Sequence, residues 1–205
     1  MSVKWFEIPG YFNYVEQYEM LVHYLPEGSK FVELGCLLGK STNFLASRLK
    51  EQNKKFEFHV VDTFLGTAGE HDHMEEFYDD FYKNCKDYIE EGYITKVHKG
   101  RTDEVYKLFE DNYFDAIMID ADHKYEAVMD DVLNWMPKIK KSGVVFGDDW
   151  LLESVNKGAR EGLNQYYNRT PVNLSVVQGF VQTWIHTPDD NNIEGHNKWL
   201  TRIPK

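Results

Sequence analysis

Residues 114–125 read Phe-Asp-Ala-Ile-Met-Ile-Asp-Ala-Asp-His-Lys-Tyr, and this stretch decides the fold. Its first half is a short apolar run bounded by charge, which is typical of a strand buried in a parallel sheet. Ligands of open α/β sheets bind outside the carboxyl ends of the strands. The stretch therefore predicts that Asp120, Asp122 and His123 lie at the edge of a functional site.

A second stretch repeats this pattern about two dozen residues later. Residues 143–149 read Gly-Val-Val-Phe-Gly-Asp-Asp, again a short apolar run that ends in carboxylates. The two stretches predict neighbouring strands whose ends present three carboxylates, Asp120, Asp148 and Asp149, together with a histidine.

Residues 30–42 predict a strand, a glycine turn and the start of a helix. Gly35 allows a sharp turn, and Gly39 is expected to leave room for a ligand. The phosphate-loop motif needs four residues between its glycines, but Gly35 and Gly39 enclose only three. The dinucleotide motif also fails, because Leu37 stands where its middle glycine should be. An ordinary strand–helix turn is the alternative interpretation.

Two carboxylates accompany this turn. Glu33 stands two residues before it and suits an amino group or a hydroxyl better than a phosphate. Asp62 ends the next predicted strand, residues 56–62, where a Rossmann-like sheet places its ribose-binding carboxylate. A simple helix cap is the alternative for Asp62.

The remaining segments are expected to surround this sheet. The chain is interpreted as one domain, residues 1–205, with an N-terminal helical segment, residues 1–29. Apolar spacing predicts a helix over residues 11–24 of this segment, and another helix is expected over residues 150–167. Residues 63–85 are irregular and suit a lid, although the aromatic residues after residue 76 predict a helix face. Their His71-Asp72-His73 favours a solvated loop over a metal pair. Strands near residues 174–178 and 182–186 predict a terminal hairpin, so one strand runs antiparallel.

Composition narrows the class of protein. The chain has 205 residues, a formal net charge of -11 and 42% hydrophobic residues. Such an acidic chain has no electrostatic reason to bind nucleic acid. No run approaches the roughly 20 apolar residues of a membrane span. Only two cysteines are present, so a reducing, cytoplasmic location is expected.

With these motifs together, the chain resembles the class I S-adenosylmethionine-dependent methyltransferases. It is most similar to the metal-dependent O-methyltransferases, namely the catechol and caffeoyl-CoA type and the sugar- and antibiotic-modifying branch. The resemblance covers about residues 30–165 and rests on residues 31–41, 61–63, 119–126 and 147–150. It implies a Rossmann-like, doubly wound, mostly parallel α/β sheet of seven strands with an antiparallel C-terminal strand.

The resemblance also implies a cofactor site for S-adenosylmethionine. The residues expected to contact this cofactor are Glu33, Gly35, Gly39, Ser41, Asp62, Thr63, Arg101, Thr102 and Asp120. The glycine turn and Ser41 would surround its methionine end, with Glu33 beneath the loop. Asp62 would accept the ribose hydroxyls. Arg101 and Thr102 would lie near the adenine.

A divalent cation, expected to be Mg²⁺, is implied on Asp120, Asp148 and Asp149. Converging carboxylates raise one another's pKa unless a cation compensates their charge. All-oxygen ligands favour Mg²⁺, Mn²⁺ or Ca²⁺ over zinc. The aspartate pair fits the sugar-modifying branch better, because the catechol enzymes have asparagine in place of Asp149.

The proton acceptor is the point where this chain departs from the catechol type. Those enzymes have a lysine three residues after the first metal ligand, where this chain has His123. Histidine suits proton transfer near neutral pH. Two alternatives stay open: Asp120 receives the proton, or His123 only braces the following helix.

The sequence thus predicts a Mg²⁺-assisted O-methyltransferase that acts on a hydroxyl of a small molecule, a sugar or a secondary metabolite. No nucleic-acid or membrane partner is expected, and a homo-oligomer is left open. The alternatives are a nucleotide-binding hydrolase with a degenerate phosphate loop, a nicotinamide oxidoreductase and a non-catalytic Rossmann-like binding module.

Overall fold

A computed structural model describes residues 3–66, 76–168, 175–177 and 183–186. The helices are α1 (Val15–Tyr24), α2 (Lys40–Glu51), α3 (Tyr78–Glu90), α4 (Thr102–Val105), α5 (Tyr125–Trp135) and α6 (Glu153–Tyr167). The strands are β1 (Lys30–Leu34), β2 (Glu57–Asp62), β3 (Lys96–Lys99), β4 (Phe114–Ile119), β5 (Ile139–Gly147), β6 (Ser175–Val177) and β7 (Thr183–His186). None of the helices in the described ranges is long and apolar enough to cross a membrane.

The body of the sheet consists of five parallel strands in the order β3-β2-β1-β4-β5. Helices connect these strands, which confirms the predicted Rossmann-like α/β fold with a parallel sheet. Next to β5, the short strand β7 pairs antiparallel, and β6 pairs antiparallel with β7. The order across the whole sheet is β3-β2-β1-β4-β5-β7-β6.

Strand β4 is buried on both faces, as its apolar run predicts. Ala116 and Met118 belong to the core that also holds α1, α2 and α3. Ile117 and Ile119 point to the opposite core, which holds α5 and α6. Alternate residues of a strand face opposite sides, so an apolar run of this length supplies both cores at once.

The register of the strands brings the polar residues to one edge. Leu34 pairs with Ile119, and Ile119 pairs with Gly147. The residues that follow these strands, among them Asp120 and Asp148, therefore leave the sheet at the same level. The backbone at position 35 lies so close to the backbone of Asp120 that only glycine fits, because a Cβ there would lie 1.9 Å from the Asp120 carbonyl oxygen.

Several element boundaries differ from those expected. Helix α1 begins at Val15 rather than at residue 11, and α6 begins at Glu153 rather than at residue 150. The aromatic face predicted after residue 76 is confirmed as α3. His71, Asp72 and His73 lie outside the described residues, and the single domain and the lid stay predictions.

Candidate active site

A cavity of about 840 Å³ opens at the carboxyl ends of the parallel strands. Its walls include most residues that the sequence singles out, namely Gly35, Ser41, Asp62, Thr63, Arg101, Thr102, Asp120, His123, Asp148 and Asp149. Glu33 and Gly39 do not line it. The topology therefore joins residues that are more than a hundred positions apart in one site.

Asp62 holds the glycine turn in place. Its Oδ2 accepts hydrogen bonds from the backbone N–H groups of Cys36 (2.8 Å) and Leu37 (3.0 Å), and its Oδ1 accepts one from Phe64 (2.7 Å). Leu37 adopts a positive φ of 48° within this turn. Asp62 thus shapes the turn while its side chain also lines the cavity, and a contact with ribose stays a prediction.

Glu33 lies beneath the turn and not in the cavity wall. It is fully buried and accepts hydrogen bonds from the Tyr18 hydroxyl (2.7 Å) and the Thr42 hydroxyl (2.5 Å). Burial raises the pKa of Glu33 to about 7, although these hydroxyl donors work in the opposite direction. The hydroxyl partners that the sequence suggests for Glu33 are thus supplied by the protein itself. Its position beneath the turn agrees with the resemblance, and a contact with the cofactor stays a prediction.

Gly39 is required for the packing of two helices. A Cβ at this position would lie 2.6 Å from Cys85 Sγ and 2.9 Å from the Phe81 ring. Both residues belong to α3, which crosses the start of α2. The absence of a side chain at position 39 therefore makes room for α3, and the room for a ligand expected from the sequence stays a prediction.

The acidic end of the cavity contains a close group of three side chains. His123 Nε2 lies 3.2 Å from Asp149 Oδ2 and 3.5 Å from Asp120 Oδ1. One potential ligand atom from each of these residues lies within 4.8 Å of the others. Asp149 reaches this position because its backbone is left-handed, with a φ of 53°, which aspartate tolerates better than most residues.

Asp148 lies beside this group and is almost fully buried, with 6% of its surface exposed. Its Oδ1 has no hydrogen-bond partner among the described residues. Burial and the neighbouring Asp120 raise the pKa of Asp148 to about 7. A buried carboxylate oxygen without a donor next to two more carboxylates fits an oxygen-preferring divalent cation. The sequence proposes Asp120, Asp148 and Asp149 as metal ligands, and the geometry adds His123 as a potential ligand beside them.

Asp122 takes no part in this group. It accepts a hydrogen bond from the backbone N–H of Lys124 (3.0 Å), the residue that precedes α5. Its second oxygen lies 3.4 Å from the Lys124 ammonium group. These contacts agree with a role in the start of the helix.

Two residues of the cavity wall are missed by the sequence reasoning. Tyr14, 2% exposed, donates a hydrogen bond from its hydroxyl to Asp120 Oδ2 at 2.9 Å. Asp131 of α5 is 3% exposed, and burial raises its pKa to about 7. A signal for Asp131 exists, since it lies between the inward-facing Val128 and Val132.

The cavity wall is strongly acidic. Its carboxylates are Asp62, Asp103, Asp120, Asp122, Asp130, Asp131, Asp148 and Asp149. Its fixed cations in the described part of the chain are Arg101 and Lys124. Arg101 binds Asp103 through two hydrogen bonds of 2.9 and 2.7 Å, so its charge is largely offset. The cavity therefore favours cationic ligands over anionic ones.

Comparison with protein families identifies the class of enzyme. A family model described as a methyltransferase domain matches residues 32–150, more than half of the chain. The chain belongs to this methyltransferase family. The match contains the glycine turn, Asp62 and the whole acidic end of the cavity. The enzyme is thus an S-adenosylmethionine-dependent methyltransferase, and the cationic sulfonium of this cofactor suits the acidic wall.

Solved structures of other methyltransferases share the fold. A Staphylococcus aureus protein that carries the name caffeoyl-CoA O-methyltransferase has a TM-score of 0.59 and 16% identity, covering 87% of this chain and 85% of its own. The O-methyltransferase NovP has a TM-score of 0.59 and 15% identity, with 84% and 78% covered. A Clostridium thermocellum protein named as an rRNA methylase has a TM-score of 0.56 and 15% identity, with 86% and 98% covered.

These three likenesses concern the fold, because all the identities are low. No curated protein sequence matches the chain significantly. The methyl acceptor must therefore be argued from the chemistry of the cavity.

Proposed function

We propose that this methyltransferase transfers the methyl group to a hydroxyl of a small molecule with the help of a divalent cation, expected to be Mg²⁺. The observation that carries the proposal is the acidic end of the cavity. Asp120, His123 and Asp149 converge there, and the adjacent Asp148 keeps a buried oxygen without a partner in the described part of the chain.

Asp120, Asp148 and Asp149 would hold the cation. When bound, it would supply positive charge that lowers the pKa of an acceptor hydroxyl. The protein itself contributes orientation: the paired strand ends fix the backbone of Asp120 and Asp148, and the cofactor would lie in the same cavity. Methyl transfer requires the acceptor oxygen, the methyl carbon and the sulfur to be in line, so much of the rate enhancement would come from this positioning.

The charge of the cavity supports a small acceptor without phosphate groups. The carboxylates of the described wall far outnumber its fixed cations, and the chain carries a formal net charge of -11. RNA and coenzyme A esters both carry phosphates, which such a wall would repel. A sugar or a secondary metabolite with a free hydroxyl is therefore favoured over the acceptors that the names of two neighbours suggest.

His123 is our candidate for the group that accepts the hydroxyl proton. Its Nε2 lies between two carboxylates, at 3.2 Å from Asp149 and 3.5 Å from Asp120. We expect His123→Ala to lower turnover about 100-fold, the usual contribution of a general base. The affinity for S-adenosylmethionine, measured by calorimetry, should change less than about twofold. Normal turnover in the variant would return His123 to the role of a brace.

The proposal is tested with purified protein, methyl-labelled S-adenosylmethionine and a panel of hydroxyl compounds that includes sugars, catechols and phenols. Transfer of label to an oxygen should occur with Mg²⁺ or Mn²⁺, stop in excess EDTA and return when the ion is added back. Full activity in EDTA would exclude cation assistance. Label on nitrogen, carbon or RNA instead would exclude the O-methyltransferase assignment while leaving the family unchanged.

A further inference from the structure

Tyr14 comes from a different part of the chain than the rest of the acidic end. It precedes α1 directly and lies 106 positions from Asp120, yet their side chains form a hydrogen bond of 2.9 Å. The hydroxyl donates to Asp120 Oδ2, while Oδ1 is the oxygen nearer to His123. The two oxygens of the Asp120 carboxylate thus face different residues, Oδ2 toward Tyr14 and Oδ1 toward His123. The hydrogen bond from Tyr14 keeps the carboxylate from rotating out of this orientation.

The ring of Tyr14 is held firmly, so its hydroxyl has a defined position. It contacts the rings of Phe12 and Tyr18 in edge-to-face geometry, with centroids 4.9 and 5.1 Å apart. Tyr18 in turn packs edge-to-face on Phe31 of β1 at 5.5 Å. The aromatic residues thus connect the N-terminal segment to the central strand and aim the Tyr14 hydroxyl at the strand end.

We propose that Tyr14 is a positioning residue for the cation site: its hydroxyl holds Asp120 Oδ2 and thereby presents Oδ1 to the ion. The proposal rests on the proposed function, since it assigns a role toward the cation. Partners that hydrogen-bond to metal ligands from outside the coordination shell typically account for a 10- to 100-fold effect on metal affinity. The N-terminal segment is then part of the site and not only a cover for the sheet.

Tyr18, in α1, provides a matched control. It lies four residues after Tyr14, and the two rings contact each other edge-to-face. Tyr18 is also fully buried, and its hydroxyl also donates to a carboxylate, but that carboxylate is Glu33, which does not line the cavity. Tyr14→Phe and Tyr18→Phe each remove one buried hydroxyl and keep the ring, and they differ in which carboxylate loses its donor.

The experiment is a Mn²⁺ titration of the wild type and both variants, followed by calorimetry or by electron paramagnetic resonance of the free ion. Tyr14→Phe should bind Mn²⁺ about 10-fold more weakly than the wild type. Tyr18→Phe should bind it within about twofold, although it melts at a lower temperature. A purely structural role of Tyr14 would lower the melting temperature without changing the Mn²⁺ affinity of the folded protein.

The outcomes separate this inference from the proposed function. If the wild type binds Mn²⁺ and Tyr14→Phe binds it equally well, or if both variants weaken it alike, the role of Tyr14 is overturned and the cation site stands. If the wild type binds no Mn²⁺, both proposals fail. Should Tyr14→Phe not fold, a crystal structure of the wild type with Mn²⁺ decides: an ion on Oδ2, or a Tyr14 hydroxyl turned away from Asp120, overturns the inference.

Discussion

Glu33 and Asp148 invite comparison, because both are buried carboxylates near the carboxyl ends of parallel strands. Burial raises the pKa of each to about 7. Glu33 accepts hydrogen bonds from the hydroxyls of Tyr18 and Thr42. Asp148 instead keeps one oxygen without a partner in the described part of the chain and faces the negative charge of Asp120.

The difference shows that burial of a carboxylate does not by itself indicate function. Around Glu33, hydroxyls from two helices supply the hydrogen bonds that a buried carboxylate needs, so nothing further is required from a ligand. Asp148 Oδ1 has no donor in the described part of the chain, and the negative charges of Asp120 and Asp149 act on the same carboxylate, so a bound cation would supply the missing compensation. A buried acid whose partners are incomplete is therefore the better marker of a binding site.

The largest expected difference between Asp148 and Glu33 is in the effect of their substitution on Mn²⁺ affinity and turnover. Asp148→Asn should weaken Mn²⁺ binding and lower turnover by about 100- to 1000-fold, because it removes a charged oxygen from the cation site. Glu33→Gln is the control and should change either quantity less than about tenfold. Mn²⁺ titration and label transfer measure both, while calorimetry with S-adenosylmethionine should show that the cofactor still binds. Equal effects of the two substitutions would contradict the assignment of Asp148, and not Glu33, to the cation site.

For the free energy of unfolding, the order is reversed: we expect substitution of Glu33 to have a larger effect than substitution of Asp148. Glu33→Ala leaves the buried hydroxyls of Tyr18 and Thr42 without their acceptor and opens a cavity, which should lower the free energy of unfolding by about 3 kcal/mol. Asp148→Asn should change it by less than about 1 kcal/mol in the absence of metal, because the replaced oxygen has no donor to lose. Urea denaturation measures both values. A loss below about 1 kcal/mol for Glu33→Ala would contradict the structural role of this residue.

The pH dependence of stability gives a sharper test for Glu33. Its pKa is about 7 in the folded protein against an ordinary value of 4.5. The folded state therefore keeps a proton that the unfolded chain has already released, and this contribution is full below pH 4.5. It is lost as the pH rises through 7 and amounts to about 3 kcal/mol. As the pH rises from below 4.5 to above 7, the unfolding free energy of the wild type should fall by about this amount relative to that of Glu33→Gln. A difference that stays constant with pH would refute the raised pKa of Glu33.

The smallest expected effect concerns acid sensitivity at the far edge of the sheet. His98 Nε2 lies 3.0 Å from His59 Nδ1, and burial together with His59 lowers the pKa of His98 to about 4. A histidine with a lowered pKa contributes stability above its ordinary pKa of 6.5, and this contribution is lost as the pH falls toward 4. Because His98 is only half-buried, solvent screening limits the effect to about 1 kcal/mol or less. His98→Asn should flatten this acid limb in melts between pH 7 and 4, and an unchanged limb would place its origin elsewhere.

Much of the site could be predicted from the sequence because it follows from strand ends. Asp120, Asp148 and Asp149 each come directly after an apolar run, and parallel strands deliver their carboxyl ends to one edge. Asp62 and Gly35 were found by the same reasoning. Glu33 and Gly39 were assigned to the cofactor by motif position, and the structure adds a role inside the protein for each: Glu33 accepts buried hydrogen bonds and Gly39 makes room for α3. Whether their neighbours are a ligand or other protein atoms depends on contacts distant in sequence.

The residues that the sequence did not indicate enter the site from α5 and from the segment just before α1. Tyr14 has the spacing of an ordinary apolar helix face together with Tyr18, so its hydroxyl gave no separate signal. Its hydrogen bond with Asp120 exists only because α1 packs across the end of the sheet. Asp131 is similar, because an acid on the inner face of α5 indicates a site only if that face borders the cavity, and this depends on the tertiary structure.

The sequence by itself determined the Rossmann-like fold class and the edge of the sheet where the chemistry lies. Both follow from local patterns: apolar runs form buried strands, and the residues after them must leave the core. Only the tertiary structure decided which buried carboxylate is satisfied and which is left for a ligand. The physical reason is that hydrogen bonds and desolvation depend on neighbours in space, and here those neighbours come from other elements that pack on the strand ends.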